Sequence, residues 1–223
     1  MMMAFELDHV FICTDIDAPE ADRLRAFGLT EGTANIHPGQ GTANRRFFFH
    51  NAMLELLWVH EPEEAQRAVT RPTRLWERWV GRHSEAITPF GICLRPRLAT
   101  TQVPFAAWPY TPAYLPAPWV IHVGENSDVL AEPMLFYVAF GHRPDQTASR
   151  HLLDHATGFR EITSLRIQYP PSTPLSAALR AVEAMGIATI RAGVPARMEI
   201  GFDGETQGQS MDFQPSLPLV LYW

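Results

Sequence analysis

The sequence predicts an α+β chain assembled from repeated β-α-β-β-β modules. Three observations predict it: a period-two apolar run opens the chain, a short amphipathic helix and three more strand-like runs complete the first 60 residues, and the strand-helix-strand order returns near the C-terminus. From Phe5 to Cys13 the residues alternate, with Phe5, Leu7, His9, Phe11 and Cys13 on one face and Glu6, Asp8, Val10 and Ile12 on the other. Asp17-Ala18-Pro19-Glu20 then reads as an N-cap with a proline in the first turn. Ala21, Leu24, Arg25 and Phe27 follow at helical spacing, and Gly28 is the stop. Strand-like runs at 29–36, 43–50 and 52–60 are separated by the turn-rich His37-Pro38-Gly39-Gln40-Gly41 and a tight turn at His50-Asn51.

Residues 61–86 form a connector, with Ala65, Val69, Leu75, Trp76 and Trp79 on helical segments broken at Pro72. A second module is expected over 87–141, from strands at 87–95, 119–124 and 134–140. It carries an insertion at 96–118 in which six prolines interleave with Phe105, Trp108, Tyr110 and Tyr114. That proline density excludes helix and central strand, so the insertion is expected outside the core, as a surface cover or as a lid. Residues 142–223 supply a third strand-helix-strand unit, with strands at 162–169, 187–192, 197–202 and 217–223 and a helix at 175–185. Leu7-Asp8-His9-Val10-Phe11-Ile12 matches Ile162-Thr163-Ser164-Leu165-Arg166-Ile167 loosely, and Arg25-Ala26-Phe27-Gly28-Leu29 matches Glu183-Ala184-Met185-Gly186-Ile187. Such a repeat implies paired modules whose sheets share one core.

Composition narrows the chemistry. With 46% hydrophobic and 19% charged residues, the 223-residue chain has the makeup of an ordinary globular protein. All 18 basic residues are arginine, so lysine Schiff-base chemistry and the lysine of a phosphate-binding P-loop are both excluded. A net charge of −6 with scattered arginines gives no footprint for nucleic acid. No apolar run approaches the ~18 residues of a membrane span, and no secretory signal opens the chain, so the expected compartment is the cytoplasm. Cys13 and Cys93 lie in apolar runs and are expected to be inert core thiols.

Two residues stand out against that background. His9 is polar on an apolar strand face, and Glu55 interrupts Met53-Leu54-Glu55-Leu56-Leu57-Trp58-Val59. A buried, unpartnered carboxylate costs several kcal/mol. A metal ion, Arg45 or Arg46 on the preceding run, or protonation of the acid would each compensate it. One His and one Glu from neighbouring strands are half of a first-row metal shell, and His122, in Val120-Ile121-His122-Val123, is a candidate to complete a His-Glu-His set. Asn44, Arg46, Phe48 and His50 share one face, so Arg46 and His50 are candidates to hold an anionic substrate. Trp108 is a candidate to cover an apolar one. His37, His142, His151 and His155 fall in loop-like sequence, where surface exposure is expected.

Leu7-Asp8-His9-Val10-Phe11-Ile12, the helix ending Phe27-Gly28-Leu29, the His37-Pro38-Gly39-x-Gly41-Thr42-x-Asn44 loop and Leu54-Glu55-Leu56-Leu57 together resemble the vicinal oxygen chelate superfamily, and within it the glyoxalase-like domain proteins. Pro133-Met134-Leu135-Phe136-Tyr137 and Asp154-His155-Ala156-x-Gly158 are similar to that branch's later portion. The resemblance implies curved, cupped mixed sheets around a central cavity that often holds Fe, Mn, Zn or Ni. It puts the first-strand ligand on His9 and the fourth-strand ligand on Glu55. The corresponding second-module positions fall on Phe90 or Gly91 and on Phe136; in the third unit Ser164 replaces the histidine, and Glu199 alone restores a carboxylate. Two functions follow as expectations. One is a divalent-metal-dependent lyase, isomerase or dioxygenase acting on a small molecule with neighbouring oxygens, with Glu55 or a nearby histidine moving a proton. The other is a metal-free protein of the same fold that binds or sequesters a small molecule. A homodimer is open in either case.

Overall fold

A computed structural model describes residues 4–98, 100, 102–147, 151–171 and 174–223. The first module comprises β1 (Phe5–Cys13), α1 (Ala21–Phe27), β2 (Asn35–His37), β3 (Thr42–Phe48) and β4 (Met53–Val59). The connector holds α2 (Pro62–Ala65) and α3 (Leu75–Val80). The second module holds β5 (Phe90–Pro96), β6 (Ala107–Tyr110), β7 (Ile121–Gly124) and β8 (Met134–Val138). These eight strands form one sheet in the order β2-β3-β4-β1-β5-β8-β7-β6. Strand β1 runs parallel to β4 and antiparallel to β5, and β5 runs parallel to β8, so the two halves are related by a local twofold between β1 and β5. His37 of β2 and Tyr110 of β6 stand at opposite edges of this sheet yet line one cavity, because the sheet curls into a half-barrel.

The remaining strands are β9 (Ile162–Tyr169), β10 (Thr189–Ala192), β11 (Arg197–Phe202), β12 (Ser210–Asp212) and β13 (Leu219–Tyr222), with α4 (Ala177–Ala184) between β9 and β10. They form a second sheet in the order β10-β9-β11-β13-β12. It packs on the convex face of the first. Val10, Ile12, Leu54, Leu56, Ile92 and Leu135 of one sheet share a core with Leu165, Ile167, Met198, Ile200, Leu219 and Leu221 of the other. Asn51 clamps the two across the β3–β4 turn, donating from Nδ2 to the Ile162 carbonyl (2.7 Å) and accepting the Ile162 N–H on Oδ1 (2.9 Å). His155, in the segment that leads to β9, holds that segment to the first module: the Thr30 N–H donates to Nδ1 (2.9 Å), and Nε2 donates to the Phe48 carbonyl (3.0 Å).

The α+β class and the cupped sheets match the expectation, and several details correct it. The run at 29–36 is irregular until Asn35, and α1 starts at Ala21 with Glu20 at the cap position, while Asp17 sits at a φ of 64°. The 96–118 insertion contributes β6, an edge strand that tolerates Pro109 because one side of it carries no ladder. Phe105 and Tyr110 are buried, so the insertion does not lie wholly outside the core. The third unit does not repeat the first module's sheet order: β10 pairs directly and in parallel with β9, whereas β2 lies three strands from β1.

Candidate functional site

The site begins with an irregularity in β1. The pairing with β5 shifts between Leu7 and His9, a β-bulge that breaks the two-residue alternation. Phe5, Leu7, Val10 and Ile12 therefore all pack on the convex side, while Asp8 and His9 both reach the concave side. Asp8 Oδ1 accepts from His9 Nδ1 at 2.6 Å. Its other oxygen lies 3.3 Å from the guanidinium of Arg95, which is 1% exposed and also donates to Glu6 (2.9 Å) and to the Asn51 carbonyl (2.6 Å). On the far side of the imidazole, Nε2 lies 3.6 Å from Glu55 Oε2.

Glu55 is 5% exposed; among the described residues no arginine hydrogen-bonds it, and the charge of Arg46 acts on it only through space. Its Oε1 accepts from the Asn44 side-chain amide. Arg45 turns outward to Glu31 and Asp22, and Arg46, although opposite Glu55 in the ladder, donates from Nε to the Thr33 carbonyl (2.7 Å) and lies over the Phe48 ring. Burial would lower the pKa of His9. The Asp8 hydrogen bond and the charges of Asp8 and Glu55 outweigh burial and raise it. Burial would likewise raise Asp8, but the His9 bond and the Arg95 charge hold it below the ordinary aspartate value. Arg95, Asp8, His9 and Glu55 are thus a row of alternating charges crossing into the cavity.

That cavity has a volume of about 350 Å³. One wall is polar and comes mainly from the first module: His9, Asn35, His37, Gln40, Asn44, Arg46 and Glu55. The rest of the lining is largely apolar, with Phe11, Leu57, Leu75, Tyr110, Val123, Met134 and Phe136 among its residues. The 111–119 loop closes the rim, where the Tyr114 ring lies 4.8 Å from that of His37.

His9, Glu55 and Arg46 of the expected set meet in the cavity, and three others do not. His122 points to the convex side, where its ring lies 5.9 Å from Tyr137, because its neighbours Ile121 and Val123 take the concave positions in β7. His50 lies beyond the end of β3, where strand alternation no longer holds, 3.9 Å from Asp145. Trp108 borders a separate depression with Arg71, Arg74 and Asp128. Glu199 pairs with Arg166 and Arg197 on the second sheet. Sequence reasoning missed Asp8, whose face the bulge reversed, and also His37 and Gln40. His37 is buried rather than exposed; its Nδ1 pairs with Thr42 Oγ1 at 2.8 Å, and burial lowers its pKa.

A family model described as glyoxalase-like domain matches residues 7–183. The chain belongs to the glyoxalase-like domain family. Its place in the vicinal oxygen chelate superfamily follows. Among solved structures, a hypothetical protein from Staphylococcus aureus is similar over 98% of this chain and 99% of its own, with a TM-score of 0.55 at 11% identity. A xylose isomerase-like TIM barrel/4-hydroxyphenylpyruvate dioxygenase fusion protein is similar over 88% of this chain and 36% of its own, with a TM-score of 0.50 at 12% identity. At these identities the likeness is one of fold. No curated protein matches the sequence.

The ladder tests whether this glyoxalase-like protein can complete a metal shell. His9 pairs with Met53 and Phe11 with Glu55 in one module, while Gly91 pairs with Met134 and Cys93 with Phe136 in the other. The local twofold therefore carries His9 onto Gly91 and Glu55 onto Phe136. Neither offers a ligand, and the vacated space is filled: a Cβ on Gly91 would lie 2.0 Å from the Phe11 ring, and the Phe136 ring meets His9 edge-on at 5.1 Å. Asp8, His9 and Cys93 do cluster within 4.8 Å. The Asp8 oxygen, however, is already hydrogen-bonded to the imidazole and ion-paired to Arg95, and burial holds the Cys93 thiol well above its ordinary value, in its neutral form. Among the described residues, those around His9 and Glu55 do not fit a catalytic divalent cation, which takes three or more protein ligands around an open position.

Proposed function

We propose that this glyoxalase-like protein binds a small molecule with an apolar body in the cupped cavity, without a metal ion. The observation that carries this reading is the replacement of half the ligand shell by packed aromatic rings, Phe11 over Gly91 and Phe136 against His9. A cavity of about 350 Å³ with an apolar wall and a few convergent polar groups has the anatomy of a small-molecule site. The metal-dependent reading needs ligands that His122 and the second module do not bring to His9 and Glu55. Elemental analysis after loading with Mn²⁺, Zn²⁺, Ni²⁺ or Fe²⁺ and exhaustive dialysis tests the proposal. The expected result is substoichiometric metal that does not change in His9→Ala. One metal per chain, lost in that variant, would overturn it.

A further inference from the structure

We infer that the molecule held in this cavity presents a hydroxyl group on a small aromatic body, lodged between His9 Nε2 and Glu55 Oε2; the inference rests on the metal-free reading above. Each partner has one atom engaged and one atom open. Glu55 Oε1 accepts from Asn44, and Oε2 has no donor within hydrogen-bonding distance among the described residues. His9 Nδ1 is taken by Asp8, and Nε2 faces Glu55 Oε2 across 3.6 Å, beyond the 2.7–3.2 Å of an N–H···O bond. With Nδ1–H given to Asp8, Nε2 carries a hydrogen in the imidazolium form, which the two flanking carboxylates favour; in that form an acceptor and a donor are aimed at one place and not joined to each other.

The chemistry of that place selects the head group. A hydroxyl donates one hydrogen and accepts others, so it can give its proton to Oε2 and accept from the Nε2–H of an imidazole flanked by two carboxylates. A carboxylate head would meet the Glu55 charge at close range. An ammonium head would find Oε2 but would lie beside His9, with Arg46 on the same wall. A neutral group with both a donor and an acceptor avoids either conflict. Around it, Phe11, Tyr110, Phe136 and Val123 offer aromatic and aliphatic surface to an apolar body.

Titration of the intact protein with 2-naphthol, 2-methoxynaphthalene, naphthalene and 2-naphthoate, followed by calorimetry, tests this. 2-Naphthol is expected to bind about tenfold tighter than naphthalene or the methyl ether, the factor that one net hydrogen bond to a charged group supplies. Glu55→Gln should narrow that ratio toward unity. Equal affinity of the alcohol and its methyl ether in the unsubstituted protein would overturn the inference, whatever the variant's folding, and would leave the binding reading standing. Preference for 2-naphthoate would overturn it in favour of an anionic head. If no naphthalene compound binds, the binding reading falls and the inference falls with it.

Discussion

His9 is a histidine held between two carboxylates, and its charge is the most sensitive quantity in the site. Because Asp8 and Glu55 raise its pKa, the stabilisation it draws from them is fully present below the unfolded value of about 6.5 and is lost as pH rises through the folded value. Glu55→Gln removes one of the two attractions, so the histidine should titrate lower, as NMR of its imidazole signals would show. The same substitution removes a buried charge. Melting curves of the two proteins should therefore favour the unsubstituted chain most between about pH 5 and 6.5, and converge or cross at higher pH. A pH-independent difference would mean that Glu55 does not act on His9. Both residues were legible in the sequence because an acid and an imidazole inside apolar strands need partners. Asp8 was not, since strict alternation sends it to the opposite face, and only the bulge brings it beside His9.

At the scale of elements, the contact between β1 and β5 decides what the cavity can hold. Gly91 leaves room for the Phe11 ring, and a methyl group there would collide with it. Gly91→Ala should lower stability by about 1–3 kcal/mol through overpacking, read as a shift of the urea midpoint at unchanged slope. An unshifted midpoint would show that Phe11 moves aside without cost and that the space is not committed to it. Long strands such as β4 and β9 were readable from their apolar runs. The short edge strands β6 and β12 were not: Ala-Trp-Pro-Tyr carries a proline, and Ser-Met-Asp has no apolar alternation, so their pairing partners alone make them strands. His122 was misplaced for a related reason. Its strand reads as apolar on both sides, and which face turns to the cavity is set by the pairing of β7 with β8.

Across the whole molecule, the site depends on a sheet that contributes no residue to it. The strands carrying His9 and Glu55 also carry Val10, Ile12, Leu54 and Leu56, which are buried against β9, β11 and β13, so the half-barrel keeps its curvature only while the second sheet covers its convex face. Phe202 on β11 is a focus of that contact: fully buried, it stacks on Phe159 at 4.4 Å and lies 4.7 Å from Phe49, which follows β3. Phe202→Ala should cost about 3–5 kcal/mol, and the loss should reach both sheets at once. Five of the six tryptophans, Trp58, Trp76, Trp79, Trp108 and Trp119, precede the second sheet in sequence, so their fluorescence reports mainly on the half-barrel, while far-ultraviolet dichroism reports on every strand. Urea unfolding followed by the two signals should give coincident midpoints in the unsubstituted protein, and midpoints shifted together in Phe202→Ala. If dichroism were lost before fluorescence, the second sheet would be an independent unit docked on the half-barrel. The shared core would then not be what holds His9 and Glu55 in place.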